Sequence, residues 1–150
     1  MNRFNFDKYE FDAESKTARF YYSYEGGPAF VESYKFDFEF VDFNPEALDR
    51  ALQTLFLIAG VSYYKAYLPA EISVSGAQID QKTADFMTKT YQKGLGELFF
   101  VNSLPPERKI DFPVNSQGTA ENIVESNGLL VGIGGGKDSL VGLELLADAP

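Results

Sequence analysis

The chain contains no cysteine, no histidine and no tryptophan. Without cysteine there is no disulfide framework, no thiolate nucleophile and no two-thiol racemase site. Without histidine as well, neither a zinc site of nitrogen and sulfur ligands nor a triad with an imidazole base can be built from it. Carboxylates could still hold magnesium. Positive charge is scarce: 13 Lys and Arg stand against 22 Asp and Glu, a formal net charge of −9. Such a balance repels polyphosphate backbones and anionic lipid at long range, so the reading is no nucleic acid and no membrane partner. A local anion site is still open to it. Long apolar runs are missing too, since the longest, residues 55–61, falls far short of the ~20 residues that span a bilayer. The N-terminus is charged where a signal peptide would be apolar. We read the chain as soluble and cytoplasmic.

What is present is core material. The 150 residues are 45% hydrophobic and 15% aromatic, about one domain's worth of chain, able to bury roughly 70% of the surface its unfolded form exposes. Of the 23 Phe and Tyr residues, 14 fall in the first 43 positions. There they alternate: Phe30, Tyr34, Phe36, Phe38 and Phe40 share one parity with Glu32, and Ser33, Lys35, Asp37 and Glu39 the other. Period two with aromatics means half-buried strands. Residues 3–11 and 17–24 read alike, and Glu25-Gly26-Gly27-Pro28 supplies a turn, so the expected start is an antiparallel meander. One face of that sheet is expected against the core; the competing reading is an exposed aromatic platform of the carbohydrate-binding kind.

At Asn44-Pro45-Glu46 the period changes to that of a helix, because Asn caps, Pro suits the first turn and Glu complements the dipole. Leu48, Leu52, Leu55, Phe56 and Ala59 then share one face, Gly60 interrupts, and Pro69 closes the stretch 61–67 beyond it. A short strand is expected over 71–74. A second helix starts near Asp80, with Met87, Tyr91, Leu95 and Leu98 on its apolar face. Residues 103–127 are rich in Pro, Asn, Ser and Gly and read as a linker. The expected organisation is α+β over residues 1–102, a linker over 103–127, and a separate α/β nucleotide-binding piece over 128–150.

That last piece carries chemistry. The apolar run 128–133, three glycines, then Lys137-Asp138-Ser139 and a second apolar stretch read as buried strand, glycine loop and helix. Free N–H groups at a helix N-terminus, with no Cβ in the way, suit a phosphate. A phosphate-binding loop of the Gly-x4-Gly-Lys-Ser/Thr kind would need Gly at 131 and Ser or Thr at 138; Val131 and Asp138 stand there. The dinucleotide pattern fails at Lys137. What Gly134-Gly135-Gly136-Lys137-Asp138-Ser139 does resemble, with Gly for the first Ser, is the Ser-Gly-Gly-x-Asp-Ser loop of the ATP pyrophosphatases. That resemblance implies backbone and Ser139 contacts to the pyrophosphate of ATP, with Asp138 capping the helix or reaching Mg2+. An ordinary strand-to-helix turn is the plainer reading, but three consecutive glycines cost order unless close approach is needed.

Together with Ala59-Gly60-Val61-Ser62-Tyr63-Tyr64-Lys65-Ala66 and Gly94-Leu95-Gly96-Glu97-Leu98-Phe99-Phe100-Val101-Asn102, the loop makes most of the chain resemble the MurL family of bacterial UDP-N-acetylmuramoyl-L-alanyl-L-glutamate epimerases. The resemblance implies an isomerase of peptidoglycan precursor synthesis, taking a UDP-linked muramoyl dipeptide and using ATP and Mg2+. It would invert the terminal L-glutamate after adenylating its carboxylate. It also implies a fragment, because one strand-loop-helix unit does not complete a nucleotide domain, and the chain alone is expected to be inactive. Lys65 and Glu97 are the candidate catalytic residues, each with a plainer reading as a solvated side chain; Tyr63 and Tyr64 read as core or interface residues. Gly134, Gly135, Gly136, Lys137, Asp138 and Ser139 are the candidate ATP site, with Asp138 the candidate metal ligand. Two other functions stay open: another ATP pyrophosphatase-class adenylating enzyme, and a non-catalytic binding module formed by residues 1–102.

Overall fold

The computed structural model describes residues 2–37, 44–105, 108–118 and 132–147. The chain divides into two compact units, Met1–Ala120 and Glu121–Pro150. The first is built on three strands, β1 (Arg3–Asp12), β2 (Thr17–Tyr24) and β3 (Ala29–Lys35), paired antiparallel in sequence as the alternation predicts. Phe38 and Phe40, which continue that alternation, lie outside the described residues. After α1 (Pro45–Ala59) and the short α2 (Val61–Tyr64), β4 (Glu71–Val74) joins the sheet beside β1 and parallel to it. The order is β3-β2-β1-β4: the expected antiparallel meander of β1 to β3, made a mixed sheet by β4, whose pairing the sequence does not indicate. The crossover permits this: the helical segment carries the chain from the β3 edge to the opposite edge, where β4 pairs parallel with β1.

The aromatic parity is set by a bulge. Phe4 and Phe6 pair with Tyr24 and Tyr22, the register slips between Phe6 and Lys8, and Tyr9 and Phe11 then pair with Phe20 and Ala18. One extra residue in β1 thus keeps even positions before it and odd positions after it on the same face. That face is the core. Phe56 of α1 sits over it, with ring centroids 5.4 Å from Phe6, 5.2 Å from Tyr22 and 5.7 Å from Phe20. Burying a side chain of this size stabilises by roughly 1.5–3 kcal/mol. On the opposite face Tyr21 lies under the Lys8 ammonium, 4.6 Å from its centroid, and Val31 is exposed. Apart from Tyr21, the strand aromatics are therefore core, not a solvent-facing platform.

Local chemistry places the helix ends where the sequence puts them. The Asn44 side chain accepts from the N–H groups of Glu46 and Ala47, and that of Asp80 from Thr83, opening α1 and α3 (Gln81–Gly94). α1 has no basic residue in its last turn. Tyrosine hydroxyls reach its final carbonyls instead: Tyr22 donates to Phe56 O at 2.8 Å and Tyr91 to Leu57 O at 2.6 Å. Gly60 is helical, with φ −55°, so the break after α1 does not come from an unusual dihedral. A Cβ there would stand 2.4 Å from Cε1 of the fully buried Phe6.

After α3 a second short helix, α4 (Gly96–Val101), buries Phe99 and leaves Phe100 85% exposed. Residues 103–118 lie within the linker drawn from composition, yet the stretch 108–118 packs onto the first unit. Ile110 and Phe112 are buried, and the Phe112 ring meets Tyr91 at 4.9 Å and Phe6 at 5.6 Å. Two apolar residues amid Pro, Asn and Ser leave too little periodicity to show this in sequence. Of the second unit, the described part is the glycine loop and one helix, α5 (Lys137–Leu145), with no buried residue. Residues 128–131 of the predicted strand lie outside the described residues, and 132–134 are not in a strand.

Candidate functional site

The sequence-predicted phosphate loop is a turn into α5. Gly136 is its N-cap in extended geometry, and Gly135 is left-handed at φ +76°. The Ser139 Oγ accepts from the Gly134 N–H at 3.0 Å, and Gly136 O accepts from the Ser139 N–H at 3.1 Å. No side chain caps the helix, so Asp138 stands in the first turn without the capping role the sequence suggested for it. Ideal Cβ atoms at Gly135 and Gly136 meet nothing within 4 Å, so the backbone here is open to an approaching oxygen. The loop therefore fits an anionic group: the Lys137 and Asp138 amides, which open the helix ahead of its first hydrogen bond, the Lys137 ammonium, and space. Ser139 Oγ is the acceptor in its bond to Gly134, which leaves its own O–H to donate to that group. Among the described residues no three carboxylates come together as a metal site, so Asp138 alone would meet Mg2+ from this loop.

Of the other predicted residues, Lys65 is the exposed C-cap of α2, its N–H donating to Val61 O. Glu97 is exposed in the first turn of α4. Neither lines the larger cleft of the first unit. Tyr64 is buried, with its hydroxyl donating to Pro69 O at 3.2 Å. Burial raises its pKa, against the lowering effect of the nearby Arg108. Tyr63 stacks on Phe30 at 4.7 Å, and its hydroxyl is pushed up first by burial, then by the Glu32 charge. Glu32 itself, on the core face of β3, accepts from the Tyr34 hydroxyl at 2.6 Å and leaves Oε2 buried without a partner. Sequence alternation put Glu32 among the aromatics without showing what it meets. Tyr34 is raised to about 12, burial first and the Glu32 hydrogen bond second.

A cleft of about 670 Å3 opens in the first unit where β1, α1, the β4–α3 loop and the 115–118 segment converge. Sequence reading missed it, because its residues come from four separated stretches. Its lining combines the buried apolar Val74 and Ala77 with the polar groups of Tyr9, Asp49, Arg50 and Gln53. The Tyr9 hydroxyl donates to Asp49 Oδ1 at 2.8 Å, and its pKa is raised by burial first, then by that carboxylate. Gln53 Nε2 donates to Gln78 O at 2.9 Å. The loop above is pinned by Asn115, whose Oδ1 accepts from the Ile79 N–H at 2.7 Å while Nδ2 donates to Val74 O and Ala77 O, each at 2.9 Å. At Gly76 the loop runs so close to β1 that a Cβ would meet Lys8 Cα at 2.5 Å. The polar rim is thus held in place without a ligand.

Comparison with known proteins is consistent along the whole chain. A family model described as the MurL N-terminal domain matches residues 1–150. A protein of Xanthomonas oryzae pv. oryzae named UDP-N-acetyl-alpha-D-muramoyl-L-alanyl-L-glutamate epimerase is 40% identical over 156 residues, covering 99% of this chain and 34% of the relative. Proteins of the same name from a Micromonospora species and from Salinispora tropica are 34% and 32% identical, covering 99% and 97% of this chain and 35% and 34% of themselves. The chain spans about a third of the length of these relatives. No solved structure matches.

Proposed function

We propose, on the premise that this chain belongs to the MurL N-terminal domain family, that it serves in epimerising the terminal L-glutamate of UDP-MurNAc-L-Ala-L-Glu to the D form. The observation that carries the reading is the glycine loop turning into α5, set against relatives that bear the epimerase name along the whole chain. The Cα–H beside an ionised carboxylate is very weakly acidic, because its removal places a second negative charge next to the first. ATP, when bound, supplies adenylation of that carboxylate, which removes the charge and brings the Cα proton within reach of an ordinary base. In this chain the Gly135 and Gly136 backbone, Lys137 and Ser139 would hold the pyrophosphate portion, and Asp138 would help hold Mg2+. With no histidine and no cysteine in the chain, an acid–base pair drawn from it would be carboxylate, lysine or tyrosine. With a nucleotide-linked precursor as its substrate, the protein would work in the cytoplasm.

The test compares the complete gene product with its Asp138→Ala variant, given ATP, Mg2+ and UDP-MurNAc-L-Ala-L-Glu. Substrate-dependent pyrophosphate release with a D-glutamyl product, both lost in the variant, is the expected result. Release without inversion would instead indicate another adenylating enzyme. Absence of both signals would leave a non-catalytic binding module.

A further inference from the structure

We propose that the cleft between β1, α1 and the Asn115-pinned loop is a binding site for a neutral, polyhydroxylated ring of the hexopyranose type. Three observations carry this. The first is volume: about 670 Å3 lies within the ~300–1,000 Å3 of sites that take compact organic ligands, with room for a pyranose and its substituents. The second is the chemistry of the wall. Sugar hydroxyls donate and accept at fixed angles, and they are matched by planar groups offering two contacts side by side. Here Asp49, Arg50 and Gln53 line one cavity together with Tyr9 and the apolar Val74 and Ala77. Tyr9 is held by its bond to Asp49, and Gln53 by its bond to Gln78 O, which leaves the amide oxygen of Gln53 as an acceptor.

The third observation is charge. Among the described residues that line the cleft, Asp49 and Asp80 are acidic and Arg50 is the one cation. Two carboxylates against one guanidinium disfavour a diphosphate or a free dicarboxylate and leave a neutral polar ligand the better match. A divalent cation is also poorly served, since no three carboxylates meet among the described residues. The walls are ready-made: Asn115 makes three hydrogen bonds to the loop, and Gly76 abuts the β1 backbone, so little ordering is left for a ligand to impose. The class of ligand follows from the cleft alone. Its identification with the N-acetylmuramoyl ring, whose lactyl carboxyl is neutralised as an amide in the dipeptide substrate, rests on the function proposed above.

The experiment is an amide chemical-shift titration of the 150-residue chain with the methyl glycoside of N-acetylmuramoyl-L-alaninamide, and in parallel with inorganic pyrophosphate. Saturable shifts confined to residues around Tyr9, Gln53, Gln78 and Asn115 with the sugar, and not with pyrophosphate, are expected. Gln53→Ala and Tyr9→Phe should each weaken the sugar about tenfold, as the loss of a hydrogen bond to a preorganised site does. Unchanged spectra elsewhere would show that both variants are folded. A cleft that responds to pyrophosphate alone, to neither probe, or to the sugar with unaltered affinity in both variants overturns the proposal. Because the titration involves neither ATP nor turnover, its failure leaves the epimerase reading standing. An inactive gene product whose cleft still binds the sugar would overturn that reading alone.

Discussion

Replacing Asn115 by Ala removes the side chain that ties the 115–118 segment to the β4–α3 loop. It deletes three hydrogen bonds spanning 36 to 41 positions of sequence. Asn115 lies at the surface, so water can replace its bonds to Val74 O and Ala77 O, and each of those is worth about 0.5 kcal/mol. Ile79 is fully buried, and its N–H loses its partner outright, at about 1–2 kcal/mol. The expected loss is therefore roughly 2–3 kcal/mol of a total that for a domain is on the order of 5–15 kcal/mol. With a slope near 2 kcal/mol/M, the urea midpoint of the chain should fall by about 1–1.5 M, and the Ile79 amide should exchange faster with solvent. Asn115→Asp sharpens the test. It keeps the acceptor for Ile79 but turns an oxygen toward two carbonyls, so its carboxyl pKa is raised in the folded state. A raised pKa makes the protonated form the stable one: the variant should be relatively stable below its unfolded pKa of about 3.9 and lose that stability as pH rises through the folded value. An Asn115→Ala loss under 0.5 kcal/mol, or an Asn115→Asp variant insensitive to acid, would refute the account of the loop.

Gly60→Ala should destabilise the chain despite the better helix former, because its methyl lands 2.4 Å from a Phe6 ring that is fully buried; a lowered melting temperature checks this. Gly76→Ala should cost more, since the clash is with the backbone of Lys8 and Asp7, and should be visible as shifted β1 and β4 amide resonances. Alkali should unfold the protein. Burial lifts Tyr24 and Tyr34 from 10 to about 12 and lifts Tyr9, Tyr22 and Tyr91 further, so the unfolded chain releases these protons first. Stability present below pH 10 is lost as pH rises toward 12 and beyond, and tyrosinate absorbance should appear together with the loss of circular dichroism. Tyrosines that titrate while the fold is intact would count against that assignment.

The site divides differently from the fold between what sequence shows and what it hides. The glycine loop was legible because its chemistry is local: six consecutive residues and the helix they open. Asp138 illustrates the limit of that legibility, for its position in the first turn follows from sequence while the absence of a cap bond follows from the loop's path. The cleft was not legible, since Tyr9, Gln53, Gln78 and Asn115 belong to four stretches with no shared spacing. Glu32 is visible in sequence only as a break in an aromatic alternation: period two puts it on the same face as Tyr34, and the hydrogen bond between the two comes from the folded side chains.

Residues 1–80 by themselves determined whatever depends on neighbours a few positions away. Asn44 and Asp80 cap because their side chains reach backbone two or three residues on, β4 covers residues 71–74 because of its short apolar alternation and the breakers around it, and the aromatics of β1 to β3 demand a buried face. Tertiary structure decided the rest. It added β4 to the far edge of the sheet in parallel, and it recruited Ile110 and Phe112 from a stretch with a linker's composition. It also made Gly60 obligatory through a ring 54 positions earlier, Phe6. Each of these outcomes turns on excluded volume and hydrogen-bond partners supplied by distant chain, which no local spacing encodes.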